Sequence, residues 1–317
     1  MPCVHFLGEV IFMIDFRTPL ISDKPWVDAL LSHAAELGCE YNFTNLLIWN
    51  HAFSQKFALV DGFLAVRLTG TAGCGYLWPV GQGNIKNALL ELEADAKERG
   101  APFRLICVAP AHVSELEAYY PGKFQYITDR NGADYIYDIN RLADLKGKKL
   151  HAKRNHCNRM EADCPDWRYE ELTPDSLAEC LVVNKEWYRR AAEREGAADE
   201  VSMQSEETAL TCAFSNYEAL GLEGGVLRVY GEVVAFTIAD RLNADTYDVH
   251  FEKAYSELPG AFSLINRELA RSLRERHPEL RYLNREEDMG IEGLRKSKES
   301  YYPDMMAEKL TAVKVKE

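Results

Sequence analysis

At 317 residues the chain exceeds the commonest size of a single compact core, so two domains of roughly 150 residues each are expected. Its 47% hydrophobic and 27% charged residues exclude long disordered tracts, and a formal charge of -13 excludes generic attraction to nucleic acid or anionic lipid, so any phosphate contact has to be local. No window approaches the ~18 uninterrupted apolar residues of a membrane helix, so no bilayer span is expected.

At the N-terminus, Val10, Ile11 and Phe12 follow Glu9 instead of a basic leader, and no small-residue cleavage pattern comes after them. A secretory signal is therefore not expected, and Met13 is an alternative start to Met1. The cysteines, among them Cys39, Cys107, Cys157 and Cys164, form no C-x-x-C pair. Reduced thiols in a cytoplasmic protein fit that spacing.

Helical sequence runs from Pro25 to Leu37. Strands are then expected at Phe57 to Val60 and Phe63 to Leu68 around a tight Asp61-Gly62 turn, with a third near Tyr76 to Pro79. Asn84 caps a helix whose Ile85, Ala88, Leu89, Leu92 and Ala96 share a face, and Gly100 ends it. Strand Phe103 to Val108, a short helix from Ala111 and strand Tyr135 to Ile139 complete the half. A second helical segment, Asp175 to Glu195, opens at Thr173-Pro174. Strands Val226 to Val229, Val233 to Ala239 and Thr246 to Phe251, helix Phe262 to Arg276, strand Leu280 to Leu283, helix Ile291 to Ser300 and strand Met306 to Thr311 repeat the order.

The β-β-β-α-β-α-β order occurs twice, which a duplication explains most simply. An antiparallel start that crosses through a helix into a further strand is the pattern of the acetyltransferase-like (GNAT) fold. The expected class is α/β (α+β): two tandem GNAT-like domains, each a mixed, mostly antiparallel sheet flanked by helices. They cover residues 13–145 and 146–317, the second with the active cleft. Fold alone does not fix function.

Four segments bear on candidate chemistry. Lys146 to Arg159 holds six formal positive charges and no acid. On a helix, Lys149, Lys153 and His156 share one face and Arg154 and Asn158 another, an arrangement that suits phosphates or merely solvates an interdomain helix. His151, His156, Cys157 and Cys164 match no closed zinc set, so no metal is expected. In strand Thr246 to Phe251, Tyr247, Val249 and Phe251 alternate with Asp248, His250 and Glu252, which would line the cleft of a splayed sheet as proton acceptors. The loop Tyr255 to Ala261 could receive an anion, but lacks the glycine-dense, Arg-containing sequence of acetyl-coenzyme A enzymes. Finally, Asn284, Arg285, Glu286, Glu287 and Asp288 leave a strand and enter a helix carrying Arg295 and Lys298 on one face. Such acids serve as a general base, grip an amine, or simply favour the helix dipole.

The stretch Asn284 to Pro303, ending Lys298-Glu299-Ser300-Tyr301-Tyr302-Pro303, together with Lys148 to Arg159, resembles the C-terminal domain of phosphatidylglycerol lysyltransferases and its free-standing bacterial relatives. The resemblance implies a tandem GNAT-like fold related to Fem-type enzymes and an aminoacyl-tRNA donor. No tightly bound cofactor is implied. Under it, Lys149, Lys153 and Arg154 would hold tRNA phosphates through the Lys146 to Arg159 segment. Lys298, Arg295, Asn284, Arg285 and Tyr301 would contact substrate. Glu287 or Asp288 would orient the aminoacyl ammonium or act as base, with His250 and Glu252 across the cleft. The acceptor would be a lipid, peptide or other hydroxyl or amine, with peripheral lipid contact allowed. Two alternatives stay open: an acyl-coenzyme A dependent N-acyltransferase, and a non-catalytic tandem module binding RNA or protein. Neither the amino acid, the acceptor nor the oligomeric state is fixed by the sequence.

Overall fold

The computed structural model describes residues 14–70, 73–195 and 200–315; the alternative starts Met1 and Met13 lie outside them. After helix α1 (Lys24–Leu31), which stops short of the expected Leu37, a tight turn over Cys39–Tyr41 leads into α2 (Phe43–Ile48) and α3 (Asn50–Phe53). The Asn42 side chain caps α2 by accepting from the Thr44 amide at 2.7 Å. Strands β1 (Lys56–Val60) and β2 (Phe63–Gly70) meet at Asp61 and Gly62, whose φ angles of 47° and 84° are those of a hairpin turn matched to strand twist. Next come β3 (Gly73–Leu77), β4 (Val80–Gly81), α4 (Ile85–Glu98), β5 (Arg104–Val108), α5 (Val113–Tyr119), β6 (Phe124–Thr128), β7 (Asp134–Asp138) and α6 (Ile139–Asp144). Of the α4 face read from the sequence, Ala88, Leu89, Leu92 and Ala96 are buried and Ile85 is half-buried.

The basic segment forms α7 (His151–Asp163), followed by β8 (Arg168–Glu171), α8 (Leu177–Glu195), α9 (Glu200–Ser215) and α10 (Tyr217–Leu220). Then follow β9 (Glu223–Val229), β10 (Glu232–Arg241), β11 (Thr246–Ala254), α11 (Ala261–Arg276), β12 (Tyr282–Asn284), α12 (Glu292–Glu299), β13 (Met305–Ala307) and β14 (Leu310–Lys314). The β6, α6, β8 and α9 segments were not anticipated from the sequence.

The strands make two mixed sheets flanked by helices. One runs β1-β2-β3-β5-β14-β6 with β4 against β2; the other runs β13-β7-β12-β11-β10-β9-β8. Among the described pairings only β3–β5 and β11–β12 are parallel. Strand β7, expected to complete the first half, instead pairs with β12 and β13 in the second sheet. The single C-terminal strand expected over Met306 to Thr311 is two strands, and the latter, β14, lies between β5 and β6 of the first sheet. Alternation specifies a strand and its faces but not its neighbour, so this exchange was invisible in the sequence.

One hydrophobic core is continuous between the units, joining Phe57, Tyr76 and Leu89 to Phe214, Phe236 and Phe251; a second lies under α6, α7 and α11. Strand β11 serves both cores. Ile238 pairs with Phe251 and Ala239 with Val249, so His250 is the extra residue of a bulge. Before it Tyr247 and Val249 face the second core; after it Phe251 faces the first. The regular alternation expected for this strand is therefore broken. Glu252 lies on the second-core side, against α11, away from Asp248 and His250.

Candidate active site

The parallel pair β11–β12 ends at Asp248 opposite Asn284, and beyond that register the strands part. Here β12 runs into a turn in which Glu286 and Met289 have φ of 55° and 51°. The turn is held from inside: Asn284 Oδ1 accepts from the Glu286 amide at 2.6 Å, and the buried Lys298 ammonium donates to the carbonyls of Arg285 (2.6 Å) and Glu287. Lys298 thus fixes the direction of the loop that carries the acids. Its pKa is lowered by burial, with Glu286 opposing.

On the first-core side the turn meets Cys39 and Asn45 from the N-terminal unit, with Glu40 close by, while Asn42 and Thr44 bond Asp240 of β10. Lys309, between β13 and β14, donates to Glu40 Oε1 and Asp134 Oδ1, each at 2.7 Å, and lies 3.5 Å from Cys39 Sγ and 3.9 Å from Glu287 Oε2. Burial alone would lower the pKa of this ammonium; Asp134, Cys39 and Glu40 reverse that and raise it well above its ordinary value. Burial pushes the Glu287 carboxyl up to about 8, with Lys309 opposing and Asp134 reinforcing. Yet 30% of its side-chain surface is exposed, which makes it the open edge of the group.

Beside it, His250 Nε2 is 2.8 Å from Asp240 Oδ1, and Nδ1 is 3.3 Å from Glu286 Oε1 and 3.8 Å from Asp248 Oδ2. Burial opposes the charged imidazole, but Asp240 and Asp248 outweigh it and raise its pKa well above the ordinary value. Burial, then Glu286, raises Asp248. The structure therefore brings His250 and Glu287 into one anionic chamber.

The opposite face is basic. Arg285 donates to Glu252 Oε1 at 2.8 Å between the rings of Tyr137 and Tyr301, and Asn266 Nδ2 donates to Glu252 Oε2 at 3.0 Å. Arg285 Nη1 is buried without a partner. Lys153 turns inward from α7, its ammonium 4.1 Å from the Tyr301 ring centroid, and burial followed by Arg285 lowers its pKa to about 8. Arg154 holds the preceding loop, donating to the carbonyls of Leu145 at 2.5 Å and Gly147 at 3.4 Å. Lys149 lies over Tyr302. An open pocket on this segment is lined by Asp144, Lys146, Gly147, Lys148, His151 and Arg154, and none of the chamber carboxylates lines it.

Asp288 faces another set of partners. Both oxygens bond Arg295, at 2.8 and 2.9 Å; Oδ1 also accepts from the Gly290 amide and Oδ2 from the Tyr135 hydroxyl. The Arg295 bonds hold its carboxyl well below the ordinary range. Fully buried and saturated, Asp288 ties the start of α12 to β7.

The sequence reading missed Cys39, Glu40, Asn42, Thr44, Asn45, Asp134, Asp240 and Lys309. The one available signal was an acid or lysine placed at the end of an otherwise apolar strand, as Asp240 is after Val233 to Ala239.

The family profile described as phosphatidylglycerol lysyltransferase, C-terminal, matches residues 32–313, and the chain belongs to that family. A crystal structure of a conserved protein of unknown function from Bacteroides thetaiotaomicron is 39% identical, with TM-score 0.88 over 96% of this chain and 100% of that one. L-PGS from Bacillus licheniformis is 17% identical, TM-score 0.64, over 92% of each chain. FemX is 13% identical, TM-score 0.59, over 95% of this chain and 98% of that one. No curated protein matches. The fold is thus the tandem acetyltransferase-like one, and family membership supports an acyltransferase function. Among the described residues no helix is long and apolar enough to cross a membrane.

Proposed function

We propose that the protein transfers an aminoacyl group from an aminoacyl-tRNA to a hydroxyl or amine acceptor, such as a lipid or a peptide. The observation that carries this reading is the anionic chamber at the parting of β11 and β12, where Glu286 and Glu287 open beside a pocket that already holds one ammonium, that of Lys309. An aminoacyl ester brings an ammonium that such carboxylates attract, whereas an acyl thioester of coenzyme A brings none. The two faces suit a donor with a cationic acyl end and a polyanionic body, because Arg285, Lys153 and helix α7 lie on the other side of the parting. The turn ahead of α11 also argues against coenzyme A. Helix α7 sits so close to Gly260 that a Cβ there would be 2.2 Å from the His156 carbonyl oxygen, which closes the approach to these amides.

In this reading Glu287 takes the proton of the attacking hydroxyl or amine, and the nucleophile bonds to the acyl carbon. The ester C–O bond breaks and the proton passes to the departing ribose oxygen. His250 and Glu252 keep their partners and shape the two faces.

The test is to incubate the chain with labelled aminoacyl-tRNAs, membrane lipids and cell-wall precursors and to follow label out of the tRNA. Transfer that falls about 100-fold or more in Glu287→Gln, with unchanged thermal unfolding, is expected. No transfer, no tRNA binding at low salt, and a thermal shift with coenzyme A instead would overturn it.

A further inference from the structure

We propose that Asp248, His250 and Glu286, completed by Asn45, form a binding site for one divalent transition-metal cation. The site shares Glu286 with the chamber of the transfer reading but does not depend on that reading. Three independent features of the geometry support it.

The first is spacing. Asp248, His250 and Glu286 each offer one ligand atom, and the three atoms lie within 4.8 Å of one another. His250 Nδ1 is 3.3 Å from Glu286 Oε1 and 3.8 Å from Asp248 Oδ2. A cation bound at about 2.1 Å by each ligand needs ligand atoms roughly 3 to 3.5 Å apart, so small side-chain adjustments suffice.

The second is the support behind the imidazole. His250 Nε2 lies 2.8 Å from Asp240 Oδ1, and Asp240 is itself held by the Asn42 amide at 2.5 Å and by the Thr44 hydroxyl. A carboxylate that accepts from Nε2 orients the ring so that Nδ1 points toward the two carboxylates, where a cation that displaces the Nδ1 proton would meet its lone pair. That is the outer-shell arrangement of metal-binding histidines.

The third is unspent oxygen. Asp248 is fully buried and Asn45 only 6% exposed, yet Asp248 Oδ1 and Asn45 Oδ1 have no partner. Asn45 Nδ2 is 3.1 Å from Asp248 Oδ2 and 3.0 Å from Glu286 Oε1. The same nitrogen also donates to the Cys39 carbonyl at 3.1 Å, so turning the amide over would put its oxygen on the site at the cost of that bond.

The neighbouring trio of Cys39, Asp134 and Glu287 provides the contrast. It meets the same spacing criterion, but Lys309 already lies among its ligand atoms. A buried ammonium there does the work a metal would do, so that trio takes no cation. No lysine or arginine occupies the equivalent position beside Asp248 among the described residues. Two carboxylate oxygens, an imidazole nitrogen and an amide oxygen suit Mn²⁺, Fe²⁺, Co²⁺ or Zn²⁺ in preference to soft Cu⁺.

The experiment uses the full chain, stripped with a chelator and titrated with Co²⁺ and Zn²⁺. Expected are one equivalent of saturable uptake, a visible Co²⁺ spectrum without a thiolate band, and a raised Tm. Asp240→Asn should weaken uptake about 10- to 100-fold, and His250→Gln at least as much, while Cys39→Ser leaves it unchanged. No saturable uptake by the wild-type chain up to about millimolar metal overturns the proposal whatever the variants do, and leaves His250 as an imidazolium paired to carboxylates. Uptake retained in both His250→Gln and Asp248→Asn, or lost in Cys39→Ser, overturns it equally.

Discussion

The two parallel strand pairs, β3–β5 and β11–β12, occupy matching places in the two sheets but part over different contents. Where β3 and β5 separate after Leu77 and Ile106, the buried Trp78 stacks on His112 at 4.4 Å between centroids, and His112 contacts Glu36. Where β11 and β12 separate, Arg285 and Glu252 fill one side and Glu286, Glu287 and His250 the other. A strand parting is thus an opening the fold creates twice, and the side chains beside it decide whether it becomes core or site. The first unit still shapes this side of the second, because Cys39 and Asn45 stand on the far wall of the anionic chamber.

The sharpest way to test that contrast is to remove the internal cation. Lys309→Met leaves Asp134 and Glu40 buried without their counter-charge and is expected to cost about 4 kcal/mol in urea unfolding. A loss below about 1 kcal/mol would mean that the acids carry protons instead. Trp78→Ala should cost about 3 kcal/mol by emptying the first parting while leaving transfer by the folded fraction intact, a result Glu287→Gln should invert. If Trp78→Ala abolishes transfer in a folded protein, the two partings are not divided into core and site.

A smaller effect is expected at Gly260, where α7 is seated on the turn before α11. Gly260→Ala meets both a φ of 102° and the His156 carbonyl and should cost about 2 kcal/mol, read from the Tm. An unchanged Tm would show that α7 yields easily, and would reopen that turn to an anion.

The smallest effect concerns pH. Lys153 has its pKa lowered to about 8 in the folded chain against 10.5 for the free side chain. A lowered lysine pKa is a cost that is fully present below about pH 8 and fades as pH rises toward 10.5, because only the unfolded chain still binds that proton. Lys153→Met should therefore raise the Tm at about pH 7 and lose the advantage by about pH 10. A difference between the two proteins that does not change with pH would place Lys153 in water.

Much of the architecture was legible in the residues. The Asp61-Gly62 hairpin, the Asn84 cap, the α4 face and the acid-rich strand end at Asn284 are local patterns, and local chemistry reports them. The polar constellation around Glu286 to Asp288 could also be found this way, but the different duties of its neighbours could not. Glu287 is part-exposed at the edge while Asp288 is saturated by Arg295 and Tyr135, a contrast set by residues seven and more than a hundred positions away.

By itself, then, the sequence determined the repeated order of elements, the place of the charged strand end and the family, because each is carried by periodicity or by contiguous motif. Tertiary structure alone decided that β7 and β14 lie in the sheets of the opposite halves, and that a bulge at His250 turns Glu252 to the other face. It alone brought Cys39, Asp134 and Lys309 together. The physical reason is the same in each case. Strand pairing and ion pairing depend on which surfaces meet after long loops close, and a side-chain pattern of period two is equally satisfied by any partner that buries the same face.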